Sequence, residues 1–214
     1  MKTWFFGFSV AIVLVVAGVC WSHPEPAVVG GVNEWTLEVA FEQPQQVMVK
    51  LPGEKRPTRF WYIILTLTNN SGIGDASFYP ACDLMTDTFQ IANAGKGTHK
   101  VVFEKIKLRH QAKYPFLEPV DFVGNKILEG SDNTRDVAII WPDFDPKAKN
   151  ITLFIAGLSN ETAAIDHPAK TDEDGKPAKV YLRKTLALEY AIGGDESLRA
   201  YAQLAYKGKR WVMR

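Results

Sequence analysis

Cysteine is almost missing: the 214 residues carry two, Cys20 and Cys82. Cys20 lies in the leading segment, so the rest of the chain has no pair to cross-link. Its fold must be held by a core alone, with no disulfide framework. An excess of charge is missing too. Setting Lys2 aside leaves 24 of the 25 Lys and Arg against 24 Asp and Glu. Nucleic-acid binders draw most of their affinity from phosphate neutralisation and show a basic excess or stripe, so no nucleic-acid partner is expected. The short motifs of common chemistries are absent as well: there is no GxSxG elbow, HExxH, CxxC pair or Walker loop. Only one apolar run approaches the length of a membrane span.

That run opens the chain. Lys2 supplies a positive start, Trp4 to Val19 are 16 uncharged and almost wholly apolar residues, and small residues follow at Cys20 and Ser22. His23-Pro24-Glu25-Pro26 then ends any helix. The order reads as a secretory signal over residues 1–22, so the expected location is exported, periplasmic or secreted. Two alternatives stay open. Residues 4–19 can serve as an uncleaved membrane anchor, and Ala17-Gly18-Val19-Cys20 resembles a lipoprotein box that would lipidate Cys20. In either case membrane contact comes only through the N-terminus. Cleavage after Ser22 instead starts the mature chain at His23.

Residues 23–34 form a lead-in punctuated by Pro and Gly, and 35–214 read as one domain. Trp35, Leu37, Val39 and Phe41 alternate with Thr36, Glu38, Ala40 and Glu42, the period of a half-buried strand. Val47 to Leu51 is a second strand, closed by Pro52-Gly53. Arg59 to Thr68 is β-branched, aromatic and almost continuously apolar, which places it centrally; Asn69-Asn70-Ser71-Gly72 turns it. Leu84 to Ile91, Lys100 to Arg109, Asp136 to Trp141, Ile151 to Gly157 and Val180 to Ile192 continue the series. Trp211-Val212-Met213 is apolar enough to pair at an edge. Residues 196–207 admit two readings. The favoured one is a helix capped by Asp195, with Leu198, Tyr201, Ala202 and Ala205 on one face and Gly208 ending it. The other is a strand with Leu198, Ala200, Ala202, Leu204 and Tyr206 inward. Residues 112–135 and 159–178 read as irregular, the second as a solvated Pro-, Asp- and Lys-rich loop. Eight or nine short strands predict an all-β, mainly antiparallel sandwich with at most one short helix near the C-terminus.

The stretches WYIILTLTNNSG, DASFYPACDLMTD and WPDFDPKAKNITLFIAGLS carry a resemblance. A strand that ends in an Asn-rich turn, then an aromatic-Pro corner, then a strand after a Pro/Asp/Lys loop resembles exported immunoglobulin-like β-sandwich domains of unknown function. The resemblance spans Arg59 to Ser159. It implies an immunoglobulin-like sandwich in an extracytoplasmic setting, and it brings no catalytic residue.

Few residues point to chemistry. A mature His23 would offer its amine and ring nitrogen to copper, with His99, His110 or His167 as the second imidazole. Secreted copper oxidases with an N-terminal histidine, lytic polysaccharide monooxygenases among them, look similar in this respect, although Pro24 departs from their pattern. Asp172-Glu173-Asp174-Gly175 has a calcium-loop-like order without the distal ligands of an EF-hand. Asp143 and Asp145 would complete such a site only if the fold joins the two loops, and the default is a solvated acidic turn. Read as a strand, Lys100 to Arg109 sets His99 and His110 on opposite faces and aligns Lys105, Lys107 and Arg109 as edge protection, or as an anion-binding row. Gly95-Lys96-Gly97 looks phosphate-binding, but Lys100 replaces the last glycine and a strand is expected next, so it reads as a hairpin turn. Cys82, after Phe78-Tyr79-Pro80-Ala81, reads as a buried, inert thiol. In Phe60-Trp61-Tyr62 adjacent rings point to opposite faces, giving either a second packing layer or a platform for a sugar or protein. Asn69, Asn150 and Asn160 sit in glycosylation sequons.

The expectation is a non-enzymatic binding or structural module of the cell envelope or extracellular space, without catalytic residues or cofactor, and with an unidentified protein or envelope component as partner. The alternatives are a secreted copper-binding protein or oxidase built on His23, and a calcium-stabilised carbohydrate-binding module.

Overall fold

A computed structural model describes residues 33–95, 98–194 and 201–214; the expected signal over residues 1–22, with Cys20, and His23 lie outside them. Strands β1 (Glu38–Phe41), β2 (Gln45–Val49) and β3 (Thr58–Thr68) come first. β4 (Ala76–Ser77), β5 (Ala81–Thr86) and β6 (Ile91–Asn93) lead to helix α1 (Lys100–His110). β7 (Glu118–Pro119), a 3-10 turn at Val120–Phe122, β8 (Lys126–Ile127) and a 3-10 turn at Ser131–Asn133 precede β9 (Arg135–Pro142). β10 (Asn150–Ala156), β11 (Thr162–Thr171), β12 (Pro177–Ile192) and β13 (Leu204–Met213) complete the series.

Most of the strands form two mainly antiparallel sheets in a sandwich, and β4 and β8 pair as a separate two-stranded sheet. In the first, β3 is central. It pairs β9 along one edge, while β1 and β2 share the other: Phe41 faces Leu65 and Gln45 faces Tyr62. Pro44 lies in the break between β1 and β2, where a ladder donor is lost. In the second sheet β12 lies between β10 and β13, and β10 pairs β5, which pairs β6.

The near-continuous apolar run of β3 has a plain cause, since both of its faces are buried. Trp61, Ile63, Leu65 and Leu67 point between the sheets, against Leu153 and Ile155 of β10 and Leu186, Leu188 and Tyr190 of β12. Phe60, Tyr62 and Ile64 point the other way, into a second core closed by Val102, Phe103 and Ile106 of α1. Each such side chain contributes about 1.5–3 kcal/mol by leaving water. Phe60, Trp61 and Tyr62 are at most 3% exposed, so they form two packing layers and no platform.

Three expectations need correction. Lys100 to Arg109 is a helix, because Val102, Phe103 and Ile106 fall at helical spacing and cover the outer face of the first sheet. Residues 159–178 are not a loop: β11 and the start of β12 form a hairpin there, with a register shift between Asp166 and Thr171. The C-terminal helix fails where residues are described, since Leu204 to Met213 is a strand that pairs β12 straight through Gly208. Asp195 to Ala200 lie outside the described residues.

The aromatic-Pro corner is locked to β10 by Gly157. Its φ is +93°, and a Cβ there would sit 2.7 Å from the Tyr79 carbonyl oxygen and 2.9 Å from Pro80 Cα. Only glycine fits that approach.

Candidate functional site

β12 is 16 residues long, and its two halves meet different surroundings. From Thr185 to Tyr190 it is largely buried; from Pro177 to Lys184 no residue is. The register Ala163 to Leu182 and Ile165 to Val180 puts these four on one face of the hairpin. Strand alternation makes that face the continuation of Leu186, Leu188 and Tyr190, which pack against the first sheet. Beyond the sandwich, the apolar face goes on with less cover: Ala163, Val180 and Leu182 are half-buried and Ile165 is 41% exposed. No residue of β11 is buried, and among the described residues its only extensive neighbour is β12. Tyr181, on the opposite face, is 71% exposed. β11 and Pro177–Arg183 thus form a two-stranded arm, a form that is marginal in water by itself.

The arm has a rigid root. Lys184 pairs with Glu161, both mostly buried, and stands over the Trp211 ring at 5.2 Å. Thr36 Oγ1 lies 3.0 Å from both Glu161 Oε1 and Ser159 Oγ, and Ser159 donates to the Trp35 carbonyl at 2.8 Å. Burial alone would raise the Glu161 pKa, but hydrogen bonds from Lys184 and Thr36 hold it below the usual carboxylate value. Arg183 exchanges backbone hydrogen bonds with Arg214. At the tip, Asp172 Oδ1 accepts from the Asp174 and Lys176 amides at 3.1 and 2.8 Å.

Two other sheet edges are blunted. The Met48 and Gln46 carbonyls of β2, on the edge away from β3, accept from Lys105 Nζ at 2.8 Å and Arg109 at 3.1 Å. Lys105, Lys107 and Arg109 therefore share no strand face of their own; two of them reach from the helix to block a neighbouring edge. β13 carries a register shift at Lys207, together with Lys209 and Arg210.

Under the C-terminal end of α1, Tyr62 Oη lies 2.8 Å from His110 Nε2 and donates to Gln45 at 3.0 Å, while Arg109 donates to it at 3.2 Å. Glu42 accepts from Lys113 and, at 2.6 Å, from Tyr114. Burial, then the charge of Arg109, pushes the His110 pKa below its usual value. The hydrogen bonds from Lys113 and Tyr114 hold Glu42 low.

Near the other end of α1 a cleft of about 510 Å³ opens between the helix and Pro119–Phe122. Phe103, Val120, Ala138 and Ile140 supply apolar walls, while His99, Lys100, Glu104 and Asp121 are charged or polar. Gly95-Lys96-Gly97 thus leads into a helix and not a strand, although Lys96 and Gly97 lie outside the described residues.

His23 lies outside the described residues, and among those described the predicted metal residues do not converge. His99 and His110 stand at opposite ends of α1, about 16 Å apart at 1.5 Å per residue. His167 lies in β11, where Nδ1 accepts from the Ala169 and Lys170 amides. Asp143 is engaged by Trp61 Nε1 at 2.8 Å and by Arg59, and Asp145 accepts from the Lys147 amide. Asp172 and Asp174 belong to the tip of the arm. Among the described residues no group of three His, Cys, Asp or Glu could hold a metal. Cys82 is buried, and burial pushes its thiol pKa far up. Asn69 is fully buried, its Nδ2 donating to the Gly74 and Ile127 carbonyls. Sequence reasoning missed the arm and the cleft, because one was read as a loop and the other needs the helix.

Set against known proteins, the chain matches no family model, no curated protein and no solved structure.

Proposed function

We propose that the protein is a non-enzymatic binding module of the cell envelope or extracellular space, exported by residues 1–22, with the β11–β12 arm as its partner-facing element. The observation that carries this reading is the overhang: Ala163, Ile165, Val180 and Leu182 extend the inner face of the second sheet past the sandwich on a rigid root. An apolar strip held out in this way gains free energy when a partner surface covers it. The partner is a protein or envelope component that packs on the strip or adds a strand to an arm edge. The blunted β2 and β13 edges favour the arm over the body as the place of contact.

Photo-crosslinking residues at Ile165 and Val180, with Lys55 as a control on the body, test the reading in the intact envelope. A discrete adduct from the arm positions and none from Lys55 is expected; no adduct from either arm position contradicts it. Mass spectrometry of the mature N-terminus decides how the module is displayed: a start at His23 frees it, whereas a lipidated Cys20 or a retained segment tethers it.

A further inference from the structure

We propose that the cleft between α1 and Pro119–Phe122 binds a small organic cation with an apolar body, an aryl- or alkylammonium. This site is separate from the arm and does not depend on its role. At about 510 Å³, the cleft has the size of small-molecule sites, which bury most of a ligand against apolar walls with a few polar groups. Phe103, Val120, Ala138 and Ile140 provide such walls.

The lining charges select the sign of the head group. Asp121 and Glu104 bring two carboxylates, and neither makes an ion pair with a described residue. Asp121 has a short side chain set against Gly95, where an added Cβ would stand 2.7 Å from its Oδ2. Among the described lining residues Lys100 alone is always cationic, and its long flexible stem can turn to solvent. Phe122, next to Asp121, keeps 80% of its surface exposed and offers a ring face beside the carboxylate. An ammonium placed there gains a charge-assisted hydrogen bond and a cation–π contact, while its apolar body fills the cleft. Against this stand Lys100 and the uncapped first turn of α1, which would attract an anion. A matched anionic probe is therefore the decisive control.

The test is an NMR titration of the processed protein with phenethylammonium, 3-phenylpropionate and 2-phenylethanol. The ammonium should give saturable shifts at Phe103, Phe122 and Ile140 and bind at least about tenfold tighter than the carboxylate. Asp121→Asn should weaken it about tenfold and Glu104→Gln about threefold, with unchanged melting temperatures because both side chains are exposed. No saturable shift, equal or tighter carboxylate binding, or full affinity in Asp121→Asn would each overturn the proposal.

Discussion

The two halves of β12 carry the same kind of pattern and meet opposite fates. Leu186, Leu188 and Tyr190 alternate on one face, as do Val180 and Leu182. The first three are at most 2% exposed in the inter-sheet core, whereas Val180 and Leu182 are only half-buried and lie outside that core among the described residues. Alternation in a sequence thus reports that an apolar face exists, not what covers it. In the function proposed above, the less-covered half is the part that meets a partner.

Truncating the two halves should break the comparison most sharply. Leu188→Ala leaves a cavity in the inter-sheet core and should cost about 2–5 kcal/mol in chemical denaturation, while Leu182→Ala should cost less than about 1. Equal losses would mean that the arm is part of the core. Glycines repeat the contrast on a smaller scale. Gly157→Ala strains a positive φ and drives a Cβ into the Tyr79-Pro80 backbone, so a loss of about 1–3 kcal/mol or more should appear in Tm. Gly175→Ala at the arm tip meets nothing within 4 Å and should cost about 1 kcal/mol or less, from its φ alone.

The body should also respond to pH through the dock of α1. His110 has a lowered folded pKa, so its contribution is present above its unfolded value of 6.5 and is lost as pH falls. Glu42 is lowered as well, and its contribution fades below 4.5. Tm should therefore fall on acidification from pH 7.5 to 5, and His110→Gln should flatten that slope. An unchanged slope would remove His110 as its cause. The smallest expected effect is at Tyr190, whose buried hydroxyl has no hydrogen-bond partner among the described residues. Tyr190→Phe should be neutral or raise stability by up to about 1 kcal/mol, whereas Tyr181→Phe on the exposed arm should change nothing measurable.

What could be read from the chain follows from burial. β3 and β9 were legible because their apolar runs are buried on both faces, and β10 because Ile151, Leu153 and Ile155 alternate into the inter-sheet core. α1 was not. Lys105, Lys107 and Arg109 alternate with Ile106 and Leu108, which imitates a strand, and Val101 and Leu108 stay exposed, blurring the helical stripe. The spacing of Val102, Phe103 and Ile106 was the available signal. The arm hid for the opposite reason: it buries no residue, so its Pro-, Asp- and Lys-rich sequence looks like a solvated loop. β13 is set by pairing with β12, a long-range partner that local helical spacing cannot show.

Amide hydrogen exchange along β12 tests the central claim most directly. Amides within Thr185–Tyr190 should exchange only with global unfolding, and those within Lys179–Arg183 at least about 100-fold faster through local opening of the arm. Uniform protection along the whole strand would contradict the division into a covered body and an uncovered, partner-facing arm.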